Sequence, residues 1–132
     1  MHQHLQHLIP AALLCSLLLP AAAPAADDAP DCANAMTQTD MNLCADQEAR
    51  RADAELNRLY KQVMGQLDGE GQTRLREVQR SWLKYRDLNC AYETLGYVGG
   101  SMEPLVHASC IAQLTQERNE ALKRLMPEGN PD

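Results

Sequence analysis

Four cysteines, Cys32, Cys44, Cys90 and Cys110, constrain what this chain can fold into more than any other feature of its sequence. A fifth, Cys15, lies inside AALLCSLLL, Ala11 to Leu19, an apolar run too short to span a bilayer as a helix. PAAAPAADDAP follows, and its Ala23-Pro24-Ala25 supplies the small residues that signal peptidase accepts. Residues 1 to about 25 therefore read as a secretory signal, although the leading MHQHLQH carries histidines where lysine or arginine is usual. A lipoprotein box would need a small residue directly before the cysteine, and Leu14 is not small. Cleavage near Ala25 removes Cys15 and leaves an even set of cysteines in a periplasmic or secreted, oxidising setting. No two of the four have the close spacing of a zinc pair. The expectation is two disulfides.

Without the signal, about 107 residues remain, enough for one domain with a modest core that disulfides would usefully supplement. All twelve basic and all eighteen acidic residues lie beyond the signal, so the net charge of −6 stays with the mature chain. That balance disfavours nucleic acid and anionic membranes and suits a cationic partner. No apolar run in the mature part is long enough to form a transmembrane segment.

After a leader over 26–36, three amphipathic segments follow. The first is expected from about Thr39 to Leu67, with Met41, Ala45, Ala49, Ala52, Leu56, Leu59, Val63 and Leu67 forming one stripe. TQTD, Thr37 to Asp40, offers cap-forming residues at its start, and DGEG, Asp68 to Gly71, meets its end. The small residues in the first half of the stripe predict a close approach to another helix. The second segment runs from about Gln72 to Leu95. Leu75, Val78, Trp82 and Tyr85 share one arc, with Arg76, Arg80, Lys84 and Asp87 on the opposite, solvated side. The third runs from about Met102 to Leu125, with Val106, Cys110, Ile111, Leu114, Ala121, Leu122 and Leu125 as its buried side.

Two arginines break these faces. Arg86 falls close to Trp82 on the apolar arc, beside Gln79 and Asn89, and Arg118 projects among the apolar residues of the third segment. Such a residue must reach out along its stem or find an acid partner. Asp53 and Glu55, on the shoulders of the first helix, are the candidate carboxylates. Arg86, Arg118, Asp53 and Glu55 are thus expected to form a structural polar network, with a small anion pocket as the alternative. Between the second and third segments lies GYVGGSMEP, Gly96 to Pro104. Ser101 suits an N-cap and Pro104 a first turn. The loop is either a tight connection or an exposed element presenting Tyr97, Gly99, Gly100 and Ser101 to a partner.

The cysteines fit this layout. Cys90 and Cys110 flank the second connection, so pairing them would staple that hairpin, and Cys32 would then pin the leader to Cys44. Four cysteines allow three connectivities, and this one is a hypothesis. The fold class expected is all-α, a three-helix antiparallel bundle over 37–126 stapled by two disulfides, with a tail at 127–132. Chemistry is sparse. His107 alone among the histidines outlasts the signal, on the apolar side of the third segment, and no nucleophile elbow or glycine-rich phosphate motif occurs. No catalytic residue, metal site or cofactor is expected, so the chain reads as a binding protein and not an enzyme.

The residues also carry a resemblance. CANAMTQTDMNLCA, ADAELNRLY, LREVQRSWLKYRDLNC and GGSMEPLVHASCIAQLTQER, in this order, resemble the LprI-type lysozyme-inhibitor family of small exported bacterial domains. The likeness implies an all-helical, disulfide-containing periplasmic or secreted domain that binds a basic lysozyme and protects peptidoglycan. The matching residues are mostly caps, core and staples, so they speak for the fold more than for a site. Other readings from the residues are an envelope binder of a peptidoglycan fragment or toxin using the Arg86 and Arg118 region, and an assembly module without a ligand.

Overall fold

The computed structural model describes residues 30–126, so the expected signal, the first residues of the leader and the tail at 127–132 lie outside the described residues. The first helix, α1, spans Gln38–Gln66. Thr37 caps it as expected, its hydroxyl oxygen accepting from the Asp40 backbone N–H at 3.0 Å and donating to the Asp40 carboxylate at 2.7 Å. Ala45, Ala49, Ala52, Leu56, Leu59 and Val63 are buried in one stripe, with Met41 and Leu67 half-buried at its ends.

The expected DGEG connection is shorter than its composition suggests. Only Leu67 and Asp68 join α1 to α2, Gly69–Glu93. Asp68 is itself the N-cap, accepting from Gly71 N at 2.8 Å, so the glycines belong to the first turn of α2. Gln72 reaches back and donates to the Met64 and Leu67 carbonyls at 3.2 and 3.1 Å, adding to the long bond that Met64 O accepts from Leu67 N at 3.4 Å and capping the Leu67 oxygen that the end of α1 leaves open. A single 3₁₀ turn, Leu95–Tyr97, leads to α3, Glu103–Lys123, with Pro104 in its first turn. Met102 occupies the N-cap position without a side-chain bond, which corrects the expectation for Ser101.

The chain runs up, down and up, so α1 and α3 lie parallel, with α2 antiparallel to both. The α1–α3 seam is the close approach that the small residues predicted: Ala45, Ala49 and Ala52 are buried on α1, and Ala112, Thr115 and Asn119 on α3. Asn119 Nδ2 donates to the Ala52 carbonyl at 3.0 Å across it. Larger side chains fill the end near the α1–α2 turn, where Leu56, Leu59, Val63, Leu75 and Leu122 form the apolar core against Tyr60, Trp82 and Leu83. Cys90–Cys110 ties α2 to the start of α3 and is buried, and Cys32–Cys44 ties the leader to α1 near the surface.

The buried faces of α2 and α3 differ from expectation. On α2 the buried residues are Leu75, Gln79, Arg86 and Cys90, with Trp82 half-buried, whereas Val78 and Tyr85 point to solvent. On α3 they are Cys110, Ala112, Thr115, Asn119 and Leu122; Val106, Ile111, Leu114 and Ala121 are half-buried, and Leu125 and His107 are exposed. Both helices turn a polar-containing arc inward. The partners that make this affordable come from other helices: Arg86 meets Asp53, and Asn119 meets a carbonyl of α1.

Candidate functional site

Arg86 is the centre of the polar network. Its Nη1 donates to Asp53 Oδ1 of α1 at 2.7 Å and to Thr115 Oγ1 of α3 at 3.2 Å, so one guanidinium links all three helices. Its Nε donates to Asp87 Oδ1 at 3.0 Å, and Nη2 lies 3.0 Å from the same oxygen. Its side chain is only 10% exposed, and the charge is balanced by two carboxylates that reach solvent. Asp87, expected on the wet face, therefore joins the network.

Glu55 does not join it. It pairs with Arg58 one turn along α1, whose Nε and Nη2 donate at 2.7 and 2.8 Å, and those bonds hold the Glu55 carboxyl below its ordinary range. Arg118 is also treated differently from Arg86. Its Nε donates to Gln79 Oε1 at 3.0 Å, its Nη2 is buried without a hydrogen-bond partner, and burial pushes its pKa down. No carboxylate among the described residues ion-pairs with it. Both guanidiniums lie over the Trp82 ring, at 5.3 Å for Arg86 and 5.9 Å for Arg118 from its centroid.

A groove of about 310 Å³ opens beside this network, where α1 and α2 diverge from their shared turn. Leu56, Tyr60 and Leu83 give it an apolar lining, and Asp53, Asn57, Gln79 and Arg86 add polar groups. Arg76 and Arg80, expected simply to face water, stand on its α2 side. Among the described residues neither has an ion-pair partner.

The second candidate region is the α2–α3 connection. Leu95, Tyr97, Val98 and Met102 are exposed there. Its path is braced at several points. Gly99 has φ +77°, a left-handed conformation suited to glycine, and its N–H donates to Glu103 Oε2 at 2.7 Å. Gly100 N donates to the Tyr97 carbonyl at 2.9 Å, and a Cβ at Gly100 would sit 3.1 Å from that oxygen. Asn42 of α1 donates to the Ser101 carbonyl at 3.1 Å, so Ser101 engages α1 through its backbone. The connection is thus an ordered apolar knob, anchored to both α1 and α3.

Residues 30–122 match the family described as Lysozyme inhibitor LprI, a span that holds both disulfides, the network and the α2–α3 connection. The chain belongs to the LprI family. It is also similar to the uncharacterized protein R02472 of Rhizobium meliloti (strain 1021), with 41% identity over 126 aligned residues, covering 84% of this chain and 91% of that protein. No solved structure matches. Among the described residues no helix is long and apolar enough to cross a membrane, and no group of acidic, histidine or cysteine side chains is arranged to hold a metal ion.

Sequence reasoning found Arg86, Arg118 and Asp53, and set Gln79 beside Arg86 without foreseeing its bond to Arg118, but missed Asp87, Thr115 and Asn119. A signal for two of these was available. Ala112, Thr115, Asn119 and Leu122 are spaced by three, four and three residues, a continuous stripe once small polar side chains are admitted to it.

Proposed function

We propose that this LprI-family protein is an exported inhibitor that binds a basic lysozyme and so protects peptidoglycan, with no catalytic activity of its own. The observation that carries the reading is the family match, which runs through the whole stapled helical domain. Two disulfides suit an oxidising compartment outside the cytoplasm. The net charge of −6 on the chain, carried largely by acids of the leader and tail, would steer a cationic enzyme toward it. The contact we favour is the α2–α3 connection, with Tyr97, Gly99, Gly100 and Ser101 entering the sugar-binding cleft and the neighbouring exposed Val98 supporting them.

The groove between α1 and α2 favours a second reading, an envelope binder that takes an anionic fragment on Arg76 and Arg80. One titration separates the two. Residual activity of a basic c-type lysozyme on cell walls is followed as the oxidised protein is added. Stoichiometric loss that weakens with salt supports inhibition, and the Tyr97→Ala, Ser101→Ala double variant should then inhibit at least about tenfold less well. Full activity at a large excess of protein would reject the inhibitor reading and leave the groove as the site to pursue.

A further inference from the structure

The face of α2 that turns away from the core carries an ordered pattern of its own. Val78, Tyr85 and Tyr92 recur at seven-residue intervals, and Ser81 and Leu88 recur at the same interval three residues later, with Leu95 next in sequence in the 3₁₀ turn that follows α2. This is the a and d spacing of a coiled-coil seam, sustained within α2 over about two heptads, Val78 to Tyr92. Among the described residues none covers it: Val78 is 51% exposed, Tyr85 55%, Leu88 62%, Tyr92 74% and Leu95 64%, and Ser81 is exposed too. The intramolecular face of the same helix, with Leu75, Gln79, Arg86 and Cys90, points elsewhere. The chain therefore maintains two faces on α2, and only one of them is used inside the fold.

We propose that this seam is the contact face of a homodimer, with α2 of one protomer packed antiparallel on α2 of a second copy. A helix with alternating three- and four-residue spacing fits another helix of the same spacing, and a second copy presents one. The area is of the right order. At these exposures the four large side chains on α2 offer about 500 Å² per copy, and with Leu95 of the following turn a pair could bury at most about 1,200 Å², the lower edge of stable specific interfaces.

Volume complementarity chooses the direction. In the antiparallel register the layers within α2 join unlike side chains: Ser81 meets Tyr92 of the other copy and Tyr85 meets Leu88, while Val78 lies toward the turn that carries Leu95. The largest exposed aromatic thus faces the smallest residue of the seam. A parallel pair would set Ser81 on Ser81 and leave a void, and would stack each tyrosine on itself. Antiparallel packing also brings the flanking Lys84 beside Ala91 of the other copy, so like charges do not meet there. The α2–α3 connections then sit at opposite ends of the dimer.

Sedimentation equilibrium of the oxidised protein over a wide concentration range is the test, with far-ultraviolet circular dichroism as the check on folding. A reversible monomer–dimer equilibrium is expected. Leu88→Glu, at an exposed position that the fold does not need, should keep full helicity and raise the dimer dissociation constant at least about 100-fold. For direction, chains carrying both Ser81→Cys and Tyr92→Cys should cross-link between copies on mild oxidation, while Ser81→Cys alone should not. A chain that stays monomeric throughout would overturn the proposal, as would a dimer that Leu88→Glu leaves intact. Cross-linking of Ser81→Cys to itself would overturn the antiparallel register. Lysozyme enters none of these measurements, so their outcome is separable from that of the inhibition assay.

Discussion

Arg86 and Arg118 lie over the same indole ring, yet their surroundings give them different worth. Arg86 is held by two carboxylates and a hydroxyl, whereas Arg118 has one amide partner and a buried Nη2 with none. Removing Asp53 alone leaves Asp87 beside Arg86, so Asp53→Ala should cost only about 1 kcal/mol. Removing both carboxylates strands a buried cation. The double variant should lose about 3–5 kcal/mol, more than the sum of the single losses, as read by urea denaturation. Arg118→Met removes the unsatisfied Nη2 donor but leaves the buried Gln79 Oε1 without its partner, so the two effects oppose and the variant should lose only about 1 kcal/mol, well short of the double carboxylate variant. Asn119 tests the same logic at the α1–α3 seam. Asn119→Ala leaves the Ala52 carbonyl only its intrahelical bond but also removes the unpaired buried Asn119 Oδ1, so it should cost about 1 kcal/mol.

Among the elements, the α2–α3 connection and the two staples make the sharpest predictions. Gly99 faces open space, so an alanine there meets no neighbour, and its cost is purely that of a left-handed backbone, about 1 kcal/mol. A thermal melt showing no loss for Gly99→Ala would mean that the connection adopts another path. The disulfides should respond unequally to reductant. Cys32 is exposed, while Cys90 and Cys110 are buried between α2 and α3. Mild reduction followed by alkylation and peptide mapping should therefore label Cys32 and Cys44 first, with Cys90 and Cys110 labelled only as the domain unfolds. The helices themselves show why their faces were unequally legible. On α1 the buried positions are all apolar, so periodicity alone finds them. On α2 the burial of Gln79 and Arg86 competes with a more apolar outward stripe, and a count of apolar residues selects the wrong side.

At the scale of the whole molecule, the core is small and its largest side chains gather near the α1–α2 turn. The far end relies on close contact of small residues and on covalent closure. Replacing Cys90 and Cys110 together with serine should cost about 3 kcal/mol by restoring freedom to the unfolded chain. Net charge acts at this scale as well. With −6 on the whole chain, much of it from Asp27, Asp28, Asp31, Glu128 and Asp132 in the leader and tail, the proposed association with a cationic lysozyme should slow as ionic strength rises, while the dissociation rate changes less. Stopped-flow measurement at two salt concentrations would separate the two rates.

Much of this architecture was written in the sequence alone. The three helices, the α1 stripe and the cap-forming TQTD follow from periodicity and capping chemistry, which are local properties, and the order of the cysteines along them favoured the observed pairing among three possible connectivities. Tertiary structure decided which faces of α2 and α3 turn inward. Gln79, Arg86, Thr115 and Asn119 are costly to bury until partners arrive from other helices, and those partners are separated from them by tens of residues. It also decided that Glu55 serves Arg58, that two residues suffice to join α1 to α2, and that an apolar seam on α2 remains open to solvent. Periodicity records which faces a helix could bury; only the packing of all three shows which one finds its partners.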